Sequence, residues 1–196
     1  MTGPTPSGPI DRDAFFASIR ASLFNGVLAQ SQVDGMNYLL DTWERYFLDS
    51  DIRWLAYAMA TAFHETAYTM QPIEEYGRGS GHDYGQPTGP HNECYYGRGH
   101  VQLTWITNYE KAEKRLADVY GVEAPLVEYP HRMLEDEPSA LVLFDGSIEG
   151  WFTGVGLPQF FDVDTEDPVN ARKVINGLDK ADTIAGYYAS FKEALT

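Results

Sequence analysis

Cys94 is the only cysteine of this chain. A lone thiol cannot form an internal bridge, so stability has to come from packing. Basic residues are scarce too. Fourteen Lys and Arg stand against 29 Asp and Glu, a formal net charge of −15. That balance speaks against nucleic acid, whose phosphates need clustered cations, and against docking on an anionic membrane. No stretch approaches the ~20 apolar residues of a spanning helix, so membrane insertion is not expected. Met1 to Pro9 is polar and rich in Pro and Gly, without the basic start and apolar core of a secretory leader. Synthesis in the cytoplasm without a signal peptide is the expectation. No repeat or low-complexity tract interrupts the chain.

What is present is ordinary core material and a surplus of rings. Hydrophobic residues make up 43 % of the 196 positions, enough for a real core. Thirteen Tyr and four Trp suit a sugar-binding cleft, although cores also use such rings. Length and composition predict a flexible segment over residues 1–10 and one domain over 11–196. Helical spacing of Phe15, Phe16, Ile19 and Leu23 predicts a first helix from Asp11, broken near Gly26. Met36, Leu39, Leu40, Trp43 and Phe47 mark a second, starting at Ser31. Asp51 can cap a third over 52–66 that is apolar nearly all round, which places it at the centre of the domain. Further helices are expected over 108–120, from Pro138 through Phe152, from Pro168 to Ile175 with Asn176-Gly177 as its C-cap, and over 182–195. Residues 76–99 read as a long Gly-rich loop, 101–105 as a short extended segment, and 121–138 as an irregular connection. The fold class is mainly α with little β.

Two segments carry most of the chemistry. The first is Ala62-Phe63-His64-Glu65-Thr66-Ala67, ending the apolar helix. The second is Tyr95-Tyr96-Gly97-Arg98-Gly99-His100-Val101-Gln102-Leu103-Thr104-Trp105, followed by Asn108-Tyr109. Burial and the negative end of the helix dipole both disfavour a charged Glu65, so it is expected to stay protonated and serve as a general acid. Glu74 and Glu75 open the glycine loop, where a better solvated carboxylate stays ionised and can activate a water. An inverting glycosidase places such a pair ~6.5–9.5 Å apart. Either of the two glutamates could face inward. In an extended segment Gln102 and Thr104 point to one side, so the Thr104 hydroxyl can hold the water. Gln102 and Asn108 offer the paired donors and acceptors that sugar hydroxyls and acetamido groups need. Arg98, between two glycines, is expected to anchor the loop. No metal is expected, because His64-Glu65 lacks the second histidine of a zincin and no spacing suits structural zinc. Cys94 reads as an incidental thiol.

These motifs resemble those of family 19 glycoside hydrolases, which include plant-type chitinases and many bacteriophage endolysins. Ile175-Asn176-Gly177 is similar to the family's late substrate-binding motif, and the likeness runs from about Trp54 to Tyr188. It implies a lysozyme-like, two-lobed α-rich domain with a central cleft. It also implies Glu65 as acid, Thr104 as the water-holding hydroxyl, and Gln102, Asn108 and Asn176 as substrate contacts; Tyr96 and Trp105, on the same polar and aromatic floor, are further candidates for contact with substrate. Plant members place the base farther along, near Gln86 and Pro87, with Asp83 the nearest acid. Shorter phage-type members place it at the position of Glu74. Glu74 is therefore the expected base, with Glu75 and Asp83 in reserve. The likeness also leads one to expect a basic residue in the last helix, where Thr183 stands.

The activity implied is that of a phage or prophage endolysin: muramidase-like hydrolysis of β-1,4 bonds of peptidoglycan with inversion, by a monomer that needs no cofactor. A chitinase on β-1,4-linked N-acetylglucosamine is the second reading. A silent glycan-binding or virion structural protein on the same fold is the third. The −15 charge sits poorly with a wall that carries negative groups of its own.

Overall fold

The computed structural model describes residues 9–196, and its architecture follows from one helix that is buried on every side. α3 (Ile52–Glu65) has every residue from Leu55 to Phe63 buried. A helix with no polar face must be surrounded. α6 (Ala181–Leu195) makes its most extensive contact, and α5 (Asp136–Glu149) packs beside it. α1 (Arg12–Ser22) lies on α6, and α2 (Gln30–Tyr46) on α5. Ring contacts join these elements: Phe15 with Phe191, Trp43 and Phe47 with Phe144, and Tyr57 with Phe161 and Tyr188. α4 (Ile106–Arg115) continues into a π turn over 116–120, closed by Gly121 at φ +66°. Each buried large side chain contributes about 1.5–3 kcal/mol, so these rings dominate the packing energy.

The predicted Asp51 cap operates, and Asp11 at the start of α1 acts in the same way. Asp11 accepts from the Ala14 amide at 3.0 Å, and Asp51 from the Arg53 amide at 2.9 Å. Asp51 also grips the buried Arg53 guanidinium, which donates onward to the carbonyls of Asp162 and Thr165. That ties the start of α3 to a segment more than a hundred residues away. α2 begins one residue earlier than the pattern suggested, since the Gln32 side chain accepts from the Ala29 amide at 2.9 Å.

The only sheet among the described residues is a two-stranded antiparallel pair, β1 (Ile73–Glu74) with β2 (Arg98–Gly99), registered Ile73 to Gly99 and Glu74 to Arg98. The long loop 75–97 is the excursion between them. The fold is thus α-rich with minimal β, as composition and periodicity indicate.

Four local expectations fail. Residues 101–105 do not extend. Gln102 and Trp105 sit at φ +54° and +69°, and the Leu103 amide turns back to the Arg98 carbonyl at 2.9 Å. Gln102 and Thr104 therefore reach the same groove by a turn and not by strand alternation. The expected helix from Pro168 shrinks to a 3₁₀ turn over 170–174. Asn170 spends its amide and side chain on Asp167, which fixes a local turn there. Gly177 is not a left-handed cap either, for the Asn176 side-chain oxygen accepts its amide at 2.8 Å. Trp151 and Phe152 lie beyond α5, which Gly150 ends at φ +70°.

The expected flexible segment, 1–10, falls largely outside the described residues. Its last residue is anchored, as the Ile10 amide donates to Glu44 at 3.1 Å. No described helix is long and apolar enough to cross a membrane.

His100 is the most deeply buried titratable group beside the hairpin. Its amide and Nδ1 both meet the Ser139 hydroxyl of α5, at 2.8 and 2.7 Å. Burial drives its pKa down to about 4, with the Met70 carbonyl pulling weakly upward. The unfolded chain binds the proton near pH 6.5, so the stability this site holds is full above that value and drains as pH falls toward 4. Complete loss amounts to on the order of 3 kcal/mol. Urea midpoints at pH 7 and 4.5 should therefore drop much further in the native protein than in His100→Gln. Equal drops would show that His100 is not the group involved.

Candidate active site

The candidate residues stand on three segments: the end of α3, the β1–β2 pair, and the turn 98–105 leading into α4. The turn is held from below by Arg98. Its buried guanidinium donates to the carbonyls of Cys94 and Tyr96 and to the Tyr109 hydroxyl, and its carbon lies 3.5 Å from the centre of the Tyr96 ring. Tyr109, from α4, passes its own proton to the Tyr96 carbonyl at 3.0 Å. Arg98 therefore anchors the loop, as its place between two glycines suggested. Gly99 (φ +85°) must be glycine, because a Cβ there would come within 2.8 Å of the Ser139 oxygen.

Glu74 stands at the end of β1 above this platform. Its Oε1 accepts from the Tyr96 hydroxyl at 2.8 Å and lies 3.7 Å from Arg98 Nε. Its Oε2 pairs with Arg78 at 3.0 Å. Burial pushes its pKa up, but the Tyr96 hydrogen bond and the Arg78 and Arg98 charges outweigh that, so the carboxyl titrates below the usual glutamate range. Glu74 is thus an ionised acid at neutral pH, which is the state a base requires. The same bond works in reverse on Tyr96, whose hydroxyl is pushed up first by burial and then by Glu74.

Glu75 is engaged differently. Its Oε2 accepts the Gly97 amide at 3.0 Å and its Oε1 the Tyr84 hydroxyl at 3.3 Å. Both bonds are structural links across the hairpin. Asp83 is exposed at the start of a 3₁₀ turn in the loop. Of the three acids, Glu74 is the one paired with both a tyrosine hydroxyl and two arginines.

Glu65 ends α3 with its side chain 19 % exposed. An apolar pocket was expected around it. Instead Oε1 accepts from Arg172 Nη1 at 2.8 Å, and that arginine side chain is only 4 % exposed. Arg172 is held in turn by the Asp179 carbonyl at 3.1 Å. The arginine that meets Glu65 thus comes from the 3₁₀ turn 170–174 and not from the last helix near Thr183. His64 faces away from its neighbour, toward the Tyr187 ring.

Gln102, Thr104, Trp105 and Asn108 line one cavity of about 200 Å³ with Phe152 and Ile175 across it. Asn108 is fixed by donating to the Thr104 carbonyl at 2.9 Å. Gln102 donates to the carbonyls of Ile73 and Gly99 at 3.1 and 3.0 Å, which staples the turn to both strands. Trp105 is half-exposed and meets the Tyr84 ring edge-on at 5.4 Å, while Tyr84 stacks on His82 at 4.9 Å. That ladder gives the loop an aromatic rim. Asn176 is exposed and lies one residue past the cavity wall, with its side chain turned to its own backbone.

The residues that the sequence did not single out are Arg172, Arg78, Phe152 and Tyr84. Arg172 carries no motif signal except its place three residues before Ile175. Arg78 could have been found as the only cation in the first half of the glycine loop. Among the described residues no group of three or more His, Cys, Asp or Glu side chains could hold a metal.

No family model matches the chain, and no curated protein matches it. Solved structures do. Chitinase C from Streptomyces griseus HUT6037 superposes with a TM-score of 0.57 at 18 % identity, over 98 % of this chain and 95 % of that one. A point mutant of chitinase C gives 0.61 at 19 %, over 98 % and 79 %. The likeness establishes the fold, an α-rich lysozyme-like one of the kind those chitinases have.

Gln102→Ala should cost about 1–2 kcal/mol, because two partly buried carbonyls lose their donor. Amide exchange at Gly99 and Leu103 should quicken at the same time. Unchanged exchange there would mean that the staple does not hold the turn.

Proposed function

We propose that this chain is an inverting glycoside hydrolase acting on β-1,4-linked glycans of N-acetylated amino sugars. The observation that carries the reading is the contrast between the two carboxyl groups. Glu74 is held ionised by a tyrosine hydroxyl and two arginines, and Glu65 ends a rigid buried helix with one arginine at one oxygen. An inverting hydrolase needs two carboxyl groups, and Glu74, kept charged, suits the work of the base while that of the acid falls to Glu65.

In this reading Glu65 protonates the leaving glycosidic oxygen. Arg172 fixes the orientation of its carboxyl group through Oε1. Glu74 takes a proton from a water that the Thr104 hydroxyl helps to hold. The water attacks the anomeric carbon from the face opposite the leaving group, so the configuration inverts. Gln102, Asn108 and the aromatic rim of Trp105 contact the sugar. Asn176 is a more distant contact that needs its side chain to turn. A chain held by its rim rings and polar floor is positioned before reaction, and that saves entropy at the reacting bond.

For the glycan itself we favour peptidoglycan, cut between N-acetylmuramic acid and N-acetylglucosamine in the manner of a phage-type endolysin. The nine-residue step from Glu65 to Glu74 supports this, as it is the spacing of that compact type. Chitin is the second reading. Two observations favour it: the fold neighbours are chitinases, and a chain at −15 meets no repulsion from a neutral polymer. In this reading the protein works as a monomer on a wall that it reaches after release or delivery.

The test is degradation of purified peptidoglycan and of colloidal chitin by native protein and by Glu65→Gln, with products identified by mass and anomeric configuration by NMR. Muropeptides cut at the glycosidic bond with inversion, and a loss of at least about a thousandfold in the variant, are expected. Cutting of chitin alone would move the assignment to chitinase. Binding of either polymer without turnover would leave a glycan-binding protein on the same fold.

A further inference from the structure

We infer that Arg78 is a positioning residue for Glu74, delivered to the Oε2 atom by a turn whose backbone is built for that purpose. The inference rests on Glu74 as the base.

The two oxygens of Glu74 are held by partners of different kinds. Oε1 takes the hydroxyl of Tyr96, whose ring lies against the buried Arg98 and whose carbonyl is fixed by Tyr109. That side is rigid. Oε2 is held by Arg78 at 3.0 Å, from a side chain 71 % exposed.

The backbone that brings Arg78 there is costly. Gly77, Arg78 and Gly79 have φ of +85°, +50° and +71°, three successive left-handed residues. For arginine that conformation costs roughly 1–2 kcal/mol. The turn is closed by the Arg78 amide on the Glu75 carbonyl at 3.1 Å and by the His82 amide on the Gly79 carbonyl at 3.0 Å. It is then wedged by glycine on glycine. A Cβ on Gly79 would come within 2.6 Å of Gly85 Cα, and one on Gly85 within 2.1 Å of the Gly79 oxygen. Neither contact can be relieved by a flexible side chain.

An exposed ion pair returns about 0–1 kcal/mol, which does not exceed the strain. As a stability device the arrangement gains nothing. Its effect falls on the carboxylate: Arg78 keeps Oε2 in one orientation and favours the charged form.

The test is the pH profile of kcat/KM on the polymer cut by native protein, for native, Arg78→Gln and Arg78→Lys, with Glu74→Gln as reference. Carboxyl NMR titration of Glu74 follows the same variants. Removing the cation makes Glu74 easier to protonate, so the acidic limb and the NMR midpoint should both move up by about half a pH unit in Arg78→Gln, a size set by the exposure of the pair. Arg78→Lys should restore part of the shift. KM should change little. An unmoved limb and midpoint, with Glu74→Gln inactive, would overturn the inference and leave the base intact. A raised KM with an unmoved limb would also overturn it and make Arg78 a substrate contact. An active Glu74→Gln would remove the base assignment itself, and the inference with it.

Discussion

The buried guanidinium of Arg98 is the interaction on which the site depends. It sits under the hairpin with donors to Cys94, Tyr96 and Tyr109 and a ring against its face. A buried cation without partners would cost several kcal/mol, so the chain must fold around it to satisfy it. The polar atoms that do so belong to the loop end, the second strand and α4, which are thereby locked to one another. Tyr96, held in this way, presents its hydroxyl to Glu74. The hydrogen bond that does most to keep this acid ionised thus rests on a charge one layer beneath it, with Arg78 adding to it from the surface.

The helical body plays the complementary part. α3 needs no capping by solvent because its whole middle is apolar, and it ends where polarity resumes, at His64 and Glu65. Glu65 is thereby a polar group at the edge of a core, where its backbone is fixed and only its side chain is free to respond. Arg172 takes up that freedom. The loop 75–97 carries an aromatic rim and glycine turns that stand on the hairpin.

Much of this was legible in the sequence, and the reasons are specific. The helices were readable because their apolar residues repeat with the helical period and because Asp11 and Asp51 occupy capping positions. The acids were readable because Glu65 ends an apolar run and Glu74 precedes a glycine tract. What escaped was whatever depends on tertiary partners. The turn at Gln102 and Trp105 looks extended because left-handed backbone at non-glycine residues leaves no compositional trace. The environment of Glu65 was misjudged because Arg172 is remote along the chain. The helix expected from Pro168 fails because Asn170 finds a nearer partner in Asp167 than the helical ladder offers.

The Glu65–Arg172 pair joins residues 107 positions apart, and the Arg53 contacts to residues 162 and 165 span a similar distance. Such contacts close late, since a long loop must be brought together before they return anything. A chain that stops short of residue 172 leaves Glu65 without its arginine and α3 without α6, its most extensive partner. The orientation of the carboxyl group at the end of α3 is therefore set by the last quarter of the polypeptide.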